Sequence, residues 1–119
     1  MTAGVETRDT VVLDVQAAAE DHVIGALRRL RCSIVRRTSE PGEVSPIEAW
    51  KVTEHILMHV RGAVTPDEPP PLTPRERDEF RRLAARANAE PWIAEVALGN
   101  NLELVRLDWW PMESREPRE

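Results

Sequence analysis

The order of helical and strand-like segments constrains the fold of this chain more than any other feature of its sequence. Apolar residues recur every three or four positions after Asp14, and this spacing predicts a helix that ends near Arg31. Three short strand-like segments follow, before a second helical stretch and a final pair of strands. The predicted strands are 32–37, 47–52, 56–61, 92–97 and 102–107. This α-β-β-β-α-β-β order predicts an α/β fold with a mixed sheet rather than a doubly wound one.

The second helix has the clearest start signal in the chain. Thr73 fits the N-cap, Pro74 the first helical position, and Glu76 the position that completes a capping box. Apolar residues at helical spacing extend this helix to about Ala89. The proline-rich stretch 66–71 precedes it and predicts a stiff, extended connector. Side-chain chemistry therefore sets where the helix begins.

Length and composition limit the chain to one core. With 119 residues, 41% of them hydrophobic, we expect a flexible lead-in at 1–10, a single domain at 11–110 and a flexible tail at 111–119. The single cysteine, Cys32, excludes an intrachain disulfide. Because no apolar run could span a membrane and no signal segment is seen, we expect a cytoplasmic protein without a membrane partner. The sequence has no glycine fingerprint of a nucleotide site, so we expect no nucleotide cofactor.

Charge is distributed unevenly along the chain. The formal net charge is −5, which argues against a strong nonspecific grip on nucleic acid. The stretch 22–39 nevertheless contains arginines and no acid. Because guanidinium groups bind phosphates in a bidentate manner, these arginines either line a path for the DNA backbone or form a solvated face. The candidates for a DNA-backbone path are Arg28, Arg29, Arg36 and Arg37.

The element order and two short motifs resemble those of a known family. The second helix opens with Leu-Thr-Pro-Arg-Glu at 72–76, and the strand after it opens with Pro-Trp-Ile-Ala at 91–94. Over roughly 15–107, the chain resembles the PD-(D/E)XK nuclease superfamily, and within it the small Holliday junction resolvase-like proteins of archaea, actinobacteria and phages. The resemblance implies a restriction-endonuclease-like core. In that core, acids from the first helix and second strand meet a Glu/Gln-x-Lys motif of the third strand, hold magnesium and activate water.

The resemblance assigns roles to four residues of this chain. Glu20 matches the glutamate of the first helix and Glu48 the acid of the second strand, so both, with His59, are candidate ligands of Mg²⁺ or Mn²⁺. His59 and Arg61 stand where the family has Glu or Gln, then any residue, then Lys. Two residues apart on a strand, they share one face at roughly 6–7 Å. Imidazole prefers softer metals than Mg²⁺, and arginine stays protonated, so Arg61 would stabilise phosphate charge rather than activate water.

Three functions are compatible with these observations and stay open at this point. The first is a metal-dependent, structure-specific endonuclease that acts as a homodimer on branched DNA, with Glu20, Glu48, His59 and Arg61 as the catalytic residues. A variant of it uses Lys51 as a relocated lysine. The second is a catalytically inactive homologue that binds DNA or another protein, which the replaced third-strand motif favours. The third is a small regulatory interaction module whose element order is convergent.

Overall fold

A five-stranded mixed sheet with one helix against each face forms the framework of the protein. The computed structural model describes residues 8–37 and 46–113. The predicted α/β class and element order are confirmed, whereas a restriction-endonuclease-like core stays a prediction. The elements are α1 (Arg8–Arg29), β1 (Ile34–Arg37), β2 (Ile47–Lys51), β3 (Glu54–Val64), α2 (Pro74–Arg86), β4 (Glu90–Leu98) and β5 (Leu104–Pro111).

The strands lie in the same order in the sheet as in the chain. The first three strands form an antiparallel meander, and β4 and β5 form an antiparallel hairpin. β3 and β4 are parallel, so the chain must cross from one end of the sheet to the other between them, and α2 makes this crossover. The single parallel pair therefore lies in the centre of the sheet, next to α2.

β2 is shorter than its neighbour β3, and this difference opens the sheet at one point. β2 pairs with β3 only from Ile47 opposite Met58 to Lys51 opposite Glu54. From His59 onward, β3 pairs with β4 alone among the residues that the structure describes. The side chain of Gln16 from α1 reaches this open edge, where its amide donates a hydrogen bond of 2.8 Å to the carbonyl of Val60.

The face of the sheet beneath α1 carries the larger core. Ala19 and Val23 of α1 are completely buried against strand residues such as Val60 and Leu98. Gly62 allows the closest approach, because a Cβ atom built on it would lie 2.5 Å from the Cβ of Ala19. A glycine on β3 therefore lets α1 pack directly on the backbone of the sheet.

The opposite face carries a smaller core beneath α2. Its buried members are Leu57, Phe80, Ala84, Ile93 and Met112. The predicted capping box of α2 is confirmed, since the amide of Glu76 donates to Thr73 Oγ1 at 3.1 Å and the amide of Thr73 donates to Glu76 Oε1 at 2.8 Å. The helix ends at Arg86, before the predicted end near Ala89.

Several predicted boundaries differ from the structure at the two ends of the chain. α1 begins at Arg8 rather than after Asp14, so Asp14 lies within the helix and not at its N-cap. β5 begins and ends later than predicted, since the turn after Gly99 includes Glu103, whose carbonyl accepts the Gly99 amide. The ordered domain therefore continues past the predicted boundary at 110.

Met112, which follows β5, shows that the domain extends past residue 110. Its side chain is buried, and its amide donates a hydrogen bond to the carbonyl of Pro91. The rest of the predicted lead-in and tail lies outside the described residues, as do residues 38–45 between β1 and β2. Neither helix of the described ranges combines the length and the apolar character that crossing a bilayer requires.

Candidate functional site

Strand alternation decides on which face of the sheet each predicted site residue lies. Ile47 and Ala49 belong to the core beneath α1, so Glu48 between them projects from the face of α2. Met58 and Val60 are buried in the same α1-side core, and they flank His59 in the same way. Glu48 and His59 therefore share the face of α2.

Arg61 follows the same alternation and shares this face. The ring of His59 meets the ring of Phe80 from α2 edge to face, with centroids 5.4 Å apart. Arg61 lies two positions farther along β3 and lines the same cleft beside α2. His59 and Arg61 therefore lie next to each other on one face of β3, as the spacing predicts.

Glu20 lies on the other side of the sheet. It is only 5% exposed on α1, where one oxygen accepts a hydrogen bond of 2.8 Å from Arg37 Nε and the other accepts one of 2.9 Å from Gln16. Arg37 also donates to Asp21 at 2.7 Å. The carboxylate of Glu20 therefore ties α1 to β1 and is separated from Glu48 by the sheet.

Both oxygens of Glu48 are likewise engaged. Arg36 Nε donates to one oxygen at 2.7 Å, and His55 Nε2 lies 2.7 Å from the other. The Trp50 ring stacks on His55 with centroids 4.1 Å apart. The hydrogen bond from Arg36 is the main reason that the pKa of Glu48 lies below its usual range. Glu48 therefore joins β1, β2 and β3 as a structural carboxylate.

These contacts test whether the predicted Mg²⁺ or Mn²⁺ fits the residues that would hold it. Ligands of one metal ion lie within a few ångströms of each other, with free oxygen lone pairs aimed at the ion. Glu20 and Glu48 lie on opposite faces, and each already accepts charge-assisted hydrogen bonds. Over residues 8–37 and 46–113, no three His, Cys, Asp or Glu side chains are grouped to hold a metal. The predicted set Glu20, Glu48 and His59 does not fit a metal site in this arrangement.

The open edge of β3 forms instead a cleft of about 640 Å³ beside α2. It lies toward the carboxyl ends of the parallel strands β3 and β4, where open α/β sheets commonly bind ligands. We call it the α2 cleft. Its wall includes Gln16, His59, Arg61, Arg82, Leu83 and Arg86.

The charges of the α2 cleft are unbalanced. Arg61, Arg82 and Arg86 have no carboxylate partner among the described residues, whose ion pairs involve other arginines. Of the two acids in the wall, Glu76 accepts a capping hydrogen bond from the amide of Thr73 at 2.8 Å, and Glu79 accepts from Arg75 at 3.1 Å. Among the described residues, the cleft therefore presents guanidinium groups outside any ion pair, of which Arg61 lies near the charges of Glu76 and Glu95.

Two polar atoms of residues that line the α2 cleft, His59 Nδ1 and Arg61 Nε, are buried and have no hydrogen-bond partner among the described residues. Such atoms are uncommon because each loses its hydrogen bonds to water without replacement. Burial, with the nearby charge of Arg61, lowers the pKa of His59 to about 4, although Glu76 opposes the shift. At neutral pH the cleft therefore combines a neutral imidazole with a permanent cation.

The predicted DNA-backbone arginines differ in their surroundings. Arg36 and Arg37 are paired with Glu48 and with the acids of α1. Arg28 and Arg29 are exposed in the last turn of α1, where positive charge stabilises a helix. Only part of the predicted basic path thus carries free positive charge.

Sequence reasoning did not select Arg82 and Arg86, although a signal for them exists. The two residues are one helical turn apart, and like charges at this spacing normally destabilise a helix. Neither residue forms an ion pair among the described residues, and Arg86 lies in the last turn of α2, where positive charge is favourable. The alternative lysine, Lys51, is exposed at the end of β2 opposite Glu54, away from the cleft.

A scan against models of known protein families gives no match, and a search of curated proteins gives none either. The resemblance to PD-(D/E)XK nucleases therefore stays a prediction that depends on element order and short motifs. What can be argued about function depends on the geometry of the α2 cleft.

Proposed function

We propose that this protein binds nucleic acid through phosphates at the α2 cleft and does not cleave it. The observation that supports binding is the presence of Arg61, Arg82 and Arg86 in one cleft, none of them in an ion pair with a carboxylate of the described residues. Guanidinium groups form bidentate hydrogen bonds with phosphate oxygens, and each neutralised phosphate releases counterions. This is the inactive-homologue function that the sequence left open, with nucleic acid as the partner.

The chemistry of the same residues supports binding without cleavage. Glu20 and Glu48 are committed to arginines on opposite faces of the sheet, so neither is free to hold a metal beside a phosphate. Arg61 stays protonated and cannot take a proton from water, whereas a lysine at this position could. Arg61 is therefore suited to neutralise a phosphate and not to activate a nucleophile.

Fluorescence anisotropy at several salt concentrations tests the binding. The probes are a labelled single strand, a duplex and a four-way junction, the last because branched DNA is the partner that the resemblance implies. We expect Arg82→Gln combined with Arg86→Gln to weaken binding by about tenfold and to reduce the slope of log K against log salt by about 2.

Arg81→Gln combined with Arg106→Gln is the matched control. Both residues are about half exposed, lie outside the α2 cleft and are paired with acids, and the change in net charge is the same. We expect the control to weaken binding less than about threefold. Equal losses in the two double variants, or no salt-dependent binding to any probe, would overturn the proposal.

Incubation of the junction with Mg²⁺ or Mn²⁺ tests the absence of cleavage. We expect no nicked product from the wild-type protein. A nicking activity that Glu48→Ala abolishes would restore the predicted endonuclease and overturn the second half of the proposal. The predicted homodimer is a separate expectation, which sedimentation equilibrium of the full chain measures directly.

A further inference from the structure

The α2 cleft does not end at Arg86. A second cleft of about 420 Å³ runs along the same flank of α2, lined by Arg36, Glu48 and Ala87 among others. Leu83 lines both clefts, so the two adjoin at this side chain. Together they follow α2, whose 13 residues span roughly 20 Å. We call this combined depression the α2 groove.

We infer that the ligand of the α2 groove is a single strand of nucleic acid rather than an intact duplex, an inference that depends on the proposed function. Two features of the groove favour a single strand: the depth at which its arginines lie and the neutral ring of His59.

The groove has basic groups at two depths. Arg82 and Arg86 are exposed on α2, at the rim. Arg61 is partly buried on β3, at the floor, and its Nε atom is fully covered. A duplex presents its phosphates on the outside of a stiff, convex rod, so it reaches a rim before it reaches a recessed floor. A flexible single strand can follow a concave groove and place a phosphate against Arg61.

His59 supplies the second reason. Its ring is largely buried and neutral and makes no hydrogen bond among the described residues. A ring nitrogen that a ligand reaches can form one neutral hydrogen bond, as donor or acceptor according to the tautomer. Such a group suits the edge of a base better than a charged phosphate. The Watson–Crick edges of bases are free in a single strand and paired in a duplex. A neutral imidazole beside a guanidinium therefore matches the base and the phosphate of one unpaired nucleotide.

Charge along the groove is consistent with this arrangement. In the second cleft, Arg36 is paired with Glu48, so that half of the groove is close to neutral. The arginines of the groove that form no ion pair among the described residues lie in the α2 cleft. We therefore expect the strongest phosphate contacts near Arg61, with the rest of the strand held loosely along α2.

The decisive experiment compares one floor variant with one rim variant on two probes of matched sequence. Labelled single-stranded DNA and a hairpin duplex are titrated by anisotropy with the wild type, with Arg61→Gln, and with Arg82→Gln combined with Arg86→Gln. We expect the wild type to bind the single strand about tenfold more tightly than the duplex. Arg61→Gln should weaken single-strand binding by about fivefold and duplex binding by less than about twofold, whereas the rim variant weakens both.

Arg61→Lys is a second floor variant that keeps the charge but lacks the planar fork of donors, so we expect an intermediate loss for the single strand. Circular dichroism checks that each variant is folded. The inference is overturned, while the proposed function stands, if the duplex binds as tightly as the single strand and both depend on the rim arginines. If polyglutamate displaces the single strand at equal charge concentration, the ligand is an acidic protein segment, and both proposals fail.

Discussion

The two faces of the sheet use the same strands for different purposes. Beneath α1, alternate buried residues of the strands form a closed core, and the buried acid Glu20 is held by hydrogen bonds from Arg37 and Gln16. Beneath α2, the core is small, and the sheet is left open beside His59 and Arg61. Since neighbouring residues of a strand point to opposite faces, one strand can serve both purposes.

β3 illustrates this division residue by residue. Met58 and Val60 are almost completely buried on the α1 face, while His59 between them lines the α2 cleft. A polar residue in the centre of a sheet normally costs stability unless it is satisfied. Packing on the α1 face offsets this loss of stability. The α2 face carries the polar groups that a ligand would contact.

A pair of leucine truncations gives the largest expected contrast between the faces. Leu98 is fully buried in the α1-side core, whereas Leu83 is 37% exposed in the wall of the groove. We expect Leu98→Ala to lower the free energy of unfolding by about 3 kcal/mol because it leaves a cavity. We expect Leu83→Ala to lower it by less than about 1 kcal/mol. Urea denaturation of both variants measures the difference.

The same pair separates stability from binding. Under conditions where both variants are folded, Leu98→Ala should bind nucleic acid like the wild type, and Leu83→Ala should bind several-fold more weakly. Equal losses of stability would mean that the α2 face is packed as tightly as the α1 face, and the comparison would then break down.

The second largest effect is a pH dependence that originates on the α2 face. The pKa of His59 is lowered from 6.5 to about 4, so between these pH values the unfolded chain binds a proton that the folded chain does not. Stability should therefore fall as the pH is lowered through this window, by up to about 3 kcal/mol. Urea midpoints between pH 7 and pH 4 measure this loss.

His59→Gln should remove the slope in this window. Glu48 provides a contrast, because its pKa is lowered from 4.5 by the hydrogen bond from Arg36. Its stabilisation is complete above pH 4.5 and is lost as the pH falls further. Glu48→Gln should therefore lower stability above pH 4.5 and remove only the part of the slope that lies at the acidic end. A slope between pH 6.5 and 4.5 that persists in His59→Gln would show that His59 is not the titrating group.

The smallest of the three effects concerns the close contact of α1 with β3. Gly62→Ala would place a methyl group 2.5 Å from the Cβ of Ala19, and we expect it to cost about 2 kcal/mol. Ala19→Gly relieves the contact but costs about 1 kcal/mol as a glycine within a helix. In a double-mutant cycle, the two changes together should cost at least about 1 kcal/mol less than the sum of the single changes. Additive costs would mean that α1 does not rest on Gly62.

Much of the fold was predictable because its signals are local. The capping box at Thr73 and Glu76 set the start of α2, and β-branched segments identified the strands. The end of β5 was not predictable in this way. Trp109 and Trp110 pair with Ala94 and Ile93 across the hairpin, and such pairing depends on where the turn closes rather than on local propensity.

The site was less predictable, since it depends on which charges meet. The sequence contains Glu48 and Arg36 but does not show that the register of β1 and β2 places them opposite each other. The burial of Glu20 against Arg37 depends in the same way on how α1 lies over β1. The family resemblance indicated the strand positions of His59 and Arg61. The grouping of Arg82 and Arg86 with Arg61 depends on how α2 packs beside β3, which the sequence does not show.

Mapping amide chemical shifts during titration with a short single-stranded oligonucleotide tests most directly that one face binds and the other stabilises. We predict shifts for His59 to Gly62 of β3 and for the amides around Arg82 and Arg86, and almost none for Val23 and Leu27 of α1. Shifts concentrated at Arg28 and Arg29 in the last turn of α1, with the α2 groove unchanged, would contradict the account.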